Sequence, residues 1–517
     1  MEEKVNLSLR FPSILFSLSL LFIFGSCTTS SPAISRPSIG PTITADPNKP
    51  PTPTPFGPLQ DLPSIPASAL LLPSATIVPD SVSSPTPMLV YAPPKYYLSV
   101  FLDLFNHTVS VDETILYLNS TGESLNGLVL AVEPNLWKDC FLPGQIIING
   151  LEVDGASLEG DRLVIPLIKP LVAGETLSLF QHFDLRLPLV DHYQIFGYNN
   201  YQTNLVDWYP FIVPYIPGQG WLLHPAAQVG EHLVYDLQII DIALRLTNAK
   251  RSVVIAASAP AEVISDEMHY HLENARSFAF SVSEEFETES IAINGVIVNS
   301  YFYESESTQG TSVLVEVAKA LKTYELLFGP NHYSSLSVVE SPYFDGMEYD
   351  GLVFLSGDYY ASANGTVLNN LIDIAVHETA HQWWYGSVGN DQALEPWLDE
   401  ALATYSERLF YEQNYPGVTA WQAFRIDAYA PTGWVDADIY SSVDFRKYAN
   451  AVYLRGAQFL QALREQVGEQ AFFSILKDYA QQMAGKHATA QDFFRIVRLH
   501  TDSDLSDIIR KYFQKAY

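Results

Sequence analysis

Two histidines and two glutamates have the types and spacing of metal ligands and a catalytic base. His377 and His381 enclose Glu378 in a His-Glu-x-x-His motif within an apolar stretch. Residues four apart share one face of a helix, so both imidazoles can reach a single metal ion. Glu400 follows His381 after eighteen intervening residues. This His₂Glu set predicts one Zn²⁺ per chain, with Glu378 placed to take a proton from a water molecule.

These residues lie in the part of the chain with a helical pattern. From Thr311 onward, apolar residues recur every 3–4 positions, which predicts helices over 313–328, 369–385, 396–411, 449–467, 470–482 and 490–499. Residues 96–288 instead contain short apolar stretches separated by Gly, Asn, Asp and Pro, as is typical of antiparallel strands. We therefore predict an α+β multidomain fold. An N-terminal antiparallel β domain would occupy 96–288, and a mainly helical catalytic domain would occupy 289–517.

Four motifs, in order, resemble the zinc aminopeptidase family of membrane alanine aminopeptidase and leukotriene hydrolase, the H-E-x-x-H-x18-E gluzincins. They are Asp345-Gly346-Met347-Glu348-Tyr349, His377 to Trp383, Trp397-Leu398-Asp399-Glu400 and Tyr453-Leu454-Arg455-Gly456-Ala457. The first is similar to the family's Gly-Ala-Met-Glu-Asn loop, from which Asp345, Gly346 and Tyr349 depart. The resemblance covers most of residues 96–517. It implies a thermolysin-like catalytic domain, in a short form that ends after this domain.

The resemblance also implies roles for individual residues. Glu378 would be the general base, and the Tyr453 hydroxyl would stabilise the oxyanion formed from the peptide carbonyl. Glu348 would bind the substrate's N-terminus, which is cationic below a pKa of about 8. We therefore expect a zinc-dependent aminopeptidase that hydrolyses the N-terminal peptide bond of peptides.

Two other functions are compatible with the same motifs. A zinc endopeptidase with the same centre would follow if Glu348 does not face the cleft. A catalytically inactive surface binding protein would bind zinc without hydrolysing any peptide.

The residues that orient the ligand histidines are not identified by the sequence. A zinc-bound histidine normally donates its second N–H to a carboxylate or a carbonyl. Asp373, Asp399 and Thr404 are all close enough in sequence to be candidates. Asp350, two residues after Glu348, is expected to be solvated.

The composition limits the classes of function. The 517 residues include 58 acidic and 28 basic side chains, for a net charge of −30. This charge excludes binding to nucleic acid through a basic surface. A hydrophobic fraction of 48% is sufficient for large cores, whereas two cysteines are too few for a disulfide framework or a Cys-based zinc site.

Residues 1–27 are typical of a lipoprotein signal peptide. The apolar stretch Phe11–Phe24 is shorter than the roughly 20 residues of a membrane-spanning helix. It is followed by Gly25-Ser26-Cys27, which resembles a bacterial lipobox and implies that Cys27 carries a lipid anchor in a membrane. Residues 28–95 contain 17 prolines in 68 positions and predict a Pro/Ser/Thr-rich disordered tether. We expect an extracytoplasmic protein of the cell envelope, lipid-anchored or secreted.

Overall fold

The computed structural model describes residues 92–249, 252–418 and 420–517. The predicted signal peptide with Cys27, and the predicted tether up to residue 91, lie outside the described residues. In the described part of the chain, no helix is long and apolar enough to cross a bilayer.

The N-terminal part of the described chain is built from strands. They are β1 (Lys95–Asp103), β2 (Thr108–Leu118), β3 (Leu125–Ala131), β4 (Phe141–Ile148), β5 (Leu151–Glu152), β6 (Ser157–Glu159), β7 (Arg162–Leu171), β8 (Thr176–Arg186), β9 (Gly197–Tyr198), β10 (Gln202–Leu205), β11 (Phe211–Ile212), β12 (Tyr215–Ile216), β13 (Gly220–Trp221), β14 (Gln238–Thr247), β15 (Val254–Ala257), β16 (Ala261–Ile264), β17 (Glu267–Ala275) and β18 (Phe280–Ser283). The largest sheet has eight strands in the order β16-β17-β14-β1-β2-β8-β4-β5.

Alternating side chains explain how this sheet covers a core. In β1, Tyr96, Leu98, Val100 and Leu102 are buried, whereas the positions between them are more exposed. This period of two places every second side chain on the core face. Strand β1 pairs with β2 in antiparallel register but with β14 in parallel register. The parallel pair departs from the predicted antiparallel arrangement, and the long chain segment between β1 and β14 makes it possible.

The C-terminal part contains a second sheet and the helices. Its strands are β19 (Phe286–Ile293), β20 (Val296–Tyr303), β21 (Ser335–Ser341), β22 (Met347–Tyr349), β23 (Leu352–Ser356), β24 (Gly389–Asn390) and β25 (His487–Ala488). Its α-helices are α1 (Ser307–Phe328), α2 (Gly357–Ser362), α3 (Asn370–Ala380), α4 (Trp397–Asn414), α5 (Phe445–Ala449), α6 (Arg455–Val467), α7 (Glu469–Met483), α8 (Ala490–His500) and α9 (Ser506–Tyr512). The predicted order of a β region followed by a helical part is confirmed. The predicted boundary at residue 288 lies within β19, and the domain bounds stay a prediction.

The five-stranded sheet has the order β19-β20-β21-β23-β22, which puts β22 at one edge. Helices α1, α3 and α4 pack together beside this sheet around one hydrophobic core. The buried Tyr324 of α1 donates its single hydroxyl hydrogen between the carbonyl oxygens of Val376 in α3 and Ser406 in α4, at 3.0 and 3.1 Å. This shared contact holds α3 and α4 in a fixed relation, which matters because these two helices carry the predicted zinc ligands.

Candidate active site and metal centre

Helix α3 presents His377 and His381 to a buried point between α3 and α4. The helix begins after Asn369, whose side chain accepts a hydrogen bond from the Ile372 amide at 3.2 Å. It ends at Ala380 rather than at the predicted residue 385, because the chain turns directly after His381. The two imidazoles are almost fully buried, and their Nε2 atoms lie 3.1 Å apart.

Glu400, in the first turn of α4, completes the ligand set. Its Oε2 lies 3.2 Å from Nε2 of His377 and 3.4 Å from Nε2 of His381. A tetrahedral zinc ion bound at about 2.0–2.1 Å separates its ligand atoms by about 3.3 Å. The three donor atoms therefore already have the spacing that zinc requires.

The hydrogen bonds of the other ring nitrogens determine which nitrogen of each histidine faces Glu400. Nδ1 of His377 lies 3.0 Å from Oε1 of Glu407, and Nδ1 of His381 lies 2.8 Å from the carbonyl oxygen of Trp384. Both partners are acceptors, so each Nδ1 carries its hydrogen. In neutral imidazoles, each Nε2 then directs a lone pair toward the Glu400 carboxylate. Three electron-rich atoms that converge in a buried place fit a bound metal ion.

Glu407 is a site residue that the sequence did not identify. None of the candidates Asp373, Asp399 and Thr404 accepts the second N–H of a ligand histidine. Glu407 lies seven residues after Glu400, or about two helical turns, and so shares its face of α4. That spacing is the signal in the sequence that could have identified it.

Glu407 is in turn held by donors from Arg425 and Trp421. Its carboxylate accepts hydrogen bonds from Nε and Nη2 of Arg425 at 2.9 and 3.0 Å, and from the Trp421 indole at 3.3 Å. Burial raises the pKa of Glu407, but the charge of Arg425 and the bond from His377 outweigh it and hold the pKa below its ordinary value. Glu407 is therefore an ionised acceptor that orients His377.

The side chain of Glu378 extends from α3 toward the loop that precedes β22. Only 5% of it is exposed, and Oε2 has no hydrogen-bond partner among the described residues. A Cβ at Gly346 would overlap its carboxylate and the side chain of Ile374. Gly346 is one of the positions at which the sequence differs from the Gly-Ala-Met-Glu-Asn loop. The lack of a side chain there thus allows the loop to approach Glu378 closely. Burial raises the pKa of Glu378, and the adjacent histidines oppose that rise.

Glu348 lies on the edge strand β22 and lines the same pocket. Its Oε1 lies 3.9 Å from Nδ1 of His381, and the Gln392 amide donates to the same oxygen at 3.4 Å. Burial raises the pKa of Glu348, and the charge of His381 opposes that rise. A carboxylate therefore lies next to the predicted zinc ligands, at the side of the pocket formed by β22.

Asp350 is fully buried, so the expectation that it is solvated is wrong. It accepts hydrogen bonds from the amides of Arg276 and Ser277, at 2.8 and 2.7 Å, and from the Tyr333 hydroxyl. Asp350 and Gly351 form the two-residue connection between β22 and β23. Gly351 has a φ of +67°, and a Cβ there would meet the Ser258 carbonyl. These contacts fix the hairpin that carries Glu348.

A further carboxylate, Glu231, enters the pocket from the β region. Burial raises its pKa, and the neighbouring charges of Glu348 and Glu400 raise it further. No motif in the sequence pointed to Glu231, because it reaches the pocket only through the tertiary fold. The negative charge that it shares with Glu348 would stabilise a cationic ligand.

Tyr453 lies on a π-helical turn, Asn450–Leu454, that joins α5 to α6. Its hydroxyl donates a 2.6 Å hydrogen bond to Oε1 of Glu400, and its ring is nearly parallel to that of His377. Burial raises the pKa of Tyr453, and the Glu400 charge adds to the effect. The hydroxyl therefore remains protonated and can donate a hydrogen bond beside the predicted metal ligands.

A second group of histidine and carboxylates lies in the β region. His232 lies 3.1 Å from Asp161 and 3.3 Å from Glu133. Burial lowers the pKa of His232, but the hydrogen bonds to both acids outweigh it and raise the pKa to about 9. The imidazole and the two carboxylates can therefore balance one another's charge.

Comparison with known sequences finds a family model that matches the part of the chain carrying most of the site. Residues 314–512 match the family model described as Peptidase family M1 domain. Aminopeptidase M1-D of Oryza sativa subsp. japonica is 25% identical over 244 residues, which are 44% of this chain and 28% of that protein. Aminopeptidase N of Lactobacillus delbrueckii subsp. lactis is 23% identical over 295 residues, which are 53% of this chain and 35% of that protein. The chain thus spans about a third of the length of these curated relatives.

Solved structures share the fold. The M1 zinc metallopeptidase from Deinococcus radiodurans has a TM-score of 0.58 at 19% identity, covering 80% of this chain and 92% of that one. A mutant of the same protein bound to a Tyr-Ser-Ala substrate has a TM-score of 0.59 at 19% identity, covering 82% and 94%. At this level of identity, the likeness extends to the fold alone.

Proposed function

We propose, from the premise that residues 314–512 are a Peptidase family M1 domain, that this chain is a zinc-dependent aminopeptidase acting on peptides. The observation that carries the proposal is a single pocket that combines His377, His381 and Glu400 with two further carboxylates, Glu348 and Glu231. We also propose a thermolysin-like catalytic domain. The position of the edge strand β22 beside helix α3 supports this finer description of the fold.

The chain supplies a base and a hydrogen-bond donor around the metal donors. Zinc bound there would polarise the peptide carbonyl and make a water molecule more acidic. Glu378 would accept the proton of that water through its unpartnered Oε2 and later deliver it to the leaving amine. The Tyr453 hydroxyl would donate a hydrogen bond to the carbonyl oxygen as negative charge develops on it.

Glu348 and Glu231 would determine which peptide bond reacts. A free N-terminus is a cation at neutral pH and would be stabilised by the buried carboxylate of Glu348 and the half-buried carboxylate of Glu231. Glu348 Oε1 is only 3.9 Å from a ring nitrogen of His381. An amine bound there would leave only the first peptide bond within reach of the metal ligands, which favours an aminopeptidase over an endopeptidase.

The test compares one peptide with a free N-terminus and the same peptide acetylated. The full chain is loaded with zinc, and the products are followed by mass spectrometry. We expect stepwise loss of N-terminal residues from the free peptide alone. Glu348→Gln should remove most of this preference, whereas the control Glu412→Gln, on the far part of α4, should retain it. Internal cleavage of both peptides would contradict the aminopeptidase proposal, and zinc binding without any cleavage would contradict a peptidase.

We further propose that Cys27 is lipidated and that the protein is extracytoplasmic. The apolar stretch Phe11–Phe24 and the following Gly-Ser-Cys support this proposal. The wild type should partition into the detergent phase after Triton X-114 separation, and Cys27→Ser should move it into the aqueous phase. Cys140→Ser is the matched control, since Cys140 is the only other cysteine and is buried. A wild type found in the aqueous phase would contradict the anchor.

A further inference from the structure

The pocket around the metal donors is strongly acidic. Among the described residues that line it, the acids are Glu231, Asp345, Glu348, Asp373, Glu378 and Glu400, and the only lysines or arginines are Arg425 and Arg446. A peptide carries a carboxylate at its C-terminus as well as an amine at its N-terminus. A short peptide would bring that carboxylate into a pocket that repels it, unless a cation lies where the carboxylate comes to rest.

Arg425 cannot meet this carboxylate. Two of its guanidinium nitrogens donate to Glu407, the buried acid that orients His377. Its charge is therefore already balanced within the protein.

Arg446 has no such partner. Its exposed side chain forms no ion pair with a carboxylate in the described part of the chain, and Asp444 bonds only to its backbone amide. The guanidinium carbon lies 4.6 Å from the centroid of the Tyr429 ring. A guanidinium held on an aromatic face keeps its N–H edge available, and that edge matches the two oxygens of a carboxylate.

Aromatic side chains border the exposed Arg446 on the side of the pocket. Phe445, next to Arg446, lies 6.1 Å from Phe344 between ring centroids, and both line the pocket. Tyr429 and Phe445 are about 40% exposed, at 42% and 39%, so they form the rim of the pocket. Apolar neighbours reduce the screening of an ion pair by water, which strengthens binding of an anion there.

The distance between Arg446 and the reaction centre determines how long a peptide must be for its C-terminal carboxylate to reach Arg446. Arg446 and Tyr453 are seven residues apart on consecutive helical segments and line the same pocket. A helical rise of about 1.5 Å per residue puts their backbones about 10 Å apart. An extended peptide advances about 3.3 Å per residue, so this span corresponds to about three residues.

We propose that Arg446 is a specificity-determining residue that binds the C-terminal carboxylate of tripeptides and tetrapeptides. This proposal rests on the proposed aminopeptidase function. Arg446 lies away from the bond that breaks, so its contact stabilises the bound peptide and the transition state equally. Such a contact lowers KM and leaves kcat unchanged.

The test compares trialanine with its C-terminal amide, using the full chain loaded with zinc. We expect kcat/KM to be about tenfold higher for the free acid, with the difference in KM. Arg446→Ala should remove the difference. Lys447→Ala is the charge-matched control, because Lys447 is the next residue and does not line the pocket, and it should retain the difference. Equal rates on acid and amide in the wild type, or an equal loss on both in Arg446→Ala, would overturn the proposal.

Two further kinds of substrate test whether the effect depends on the C-terminal carboxylate, on any carboxylate or on the aminopeptidase reaction itself. The amide of Ala-Ala-Glu carries its carboxylate on a side chain, and cleavage as fast as that of trialanine would overturn the assignment to the C-terminus. A panel of aminoacyl-4-nitroanilides carries no carboxylate, so their hydrolysis by the wild type and by Lys447→Ala tests the aminopeptidase function apart from the proposed contact of Arg446. If the wild type hydrolyses neither the anilides nor any peptide, the aminopeptidase function itself fails, which is a distinct outcome.

Binding without turnover provides a second readout. In Glu378→Gln protein, isothermal titration should give trialanine a Kd about tenfold lower than that of its amide. Adding Arg446→Ala should make the two dissociation constants equal. A persistent tenfold difference in the double variant would overturn the proposal.

Discussion

Replacing Glu407 with Gln should weaken zinc binding although Glu407 does not contact the metal site directly. Glu407 holds His377 through a 3.0 Å hydrogen bond to Nδ1, so it determines which ring nitrogen carries hydrogen. A neutral amide accepts this bond less strongly than a carboxylate, and its NH₂ group cannot accept it at all. We expect the Kd for zinc to rise about 10- to 100-fold, which corresponds to about 1.4–2.7 kcal/mol.

The same substitution should destabilise the zinc-free protein through Arg425. The Glu407 side chain is fully buried and forms two hydrogen bonds with this guanidinium, at 2.9 and 3.0 Å. Removing its charge leaves Arg425 without its closest counter-charge in a buried place. Breaking a buried pair costs about 3–5 kcal/mol, and the remaining amide contacts place Glu407→Gln near the lower end, at about 3 kcal/mol.

The two effects are measured separately. Competition with a chelator gives the Kd for zinc, and urea unfolding in the presence of EDTA gives the stability of the zinc-free protein. Glu412→Gln is the matched control, because Glu412 lies on the same helix and pairs with Arg408 and Arg464 near the surface. It should leave the Kd for zinc unchanged and cost less than about 1 kcal/mol. A folded Glu407→Gln variant that binds zinc as tightly as the wild type would refute the role of Glu407.

Three further predictions concern the reaction and the stability. Glu378→Gln should lower kcat about 100- to 10,000-fold while elemental analysis still finds one zinc per chain, and loss of the metal would contradict its role as a base. Tyr453→Phe removes the hydroxyl that bonds to Glu400 and should lower kcat about 100- to 1000-fold. A change in KM alone would instead assign Tyr453 to substrate binding. Burial raises the pKa of Glu340 to about 7, although the Tyr303 amide bonds to it. Its contribution to stability is therefore fully present below about pH 4.5 and is lost as the pH rises through about 7. Between pH 4.5 and pH 8, the wild type should lose up to about 3 kcal/mol of unfolding free energy through Glu340. The Glu340→Gln variant should not show this loss, as measured by urea unfolding at both pH values. An unchanged pH dependence would contradict the raised pKa.

Local spacing was sufficient to predict the core of the candidate site. His377, Glu378 and His381 lie within one helix, where a period of 3.6 residues decides which side chains share a face. Glu400 could be added because it begins the next long helical pattern. The coarse fold was predictable for the same reason, since periods of two and 3.6 residues reflect burial of one face of a strand or helix.

The partners of these residues were not predictable, because they come from distant parts of the chain. Glu231 enters the pocket from the β region, and Arg425 approaches Glu407 from a separate π-helical segment. Asp350 looked like a solvated loop acid, yet it is buried by Arg276 and Ser277, more than seventy residues earlier. Hydrophobic patterns record that a residue is buried but not what it is buried against.

The amino-acid sequence by itself was therefore sufficient to predict a ligand set, a base and the helices that carry them, because helical geometry places residues four apart on one face. Only the tertiary structure decided which acid orients His377, which carboxylates face a substrate amine and which arginine remains available to bind an anion. Each of these depends on how charges from separate elements compensate one another in a buried place, and such compensation exists only after the elements have packed together.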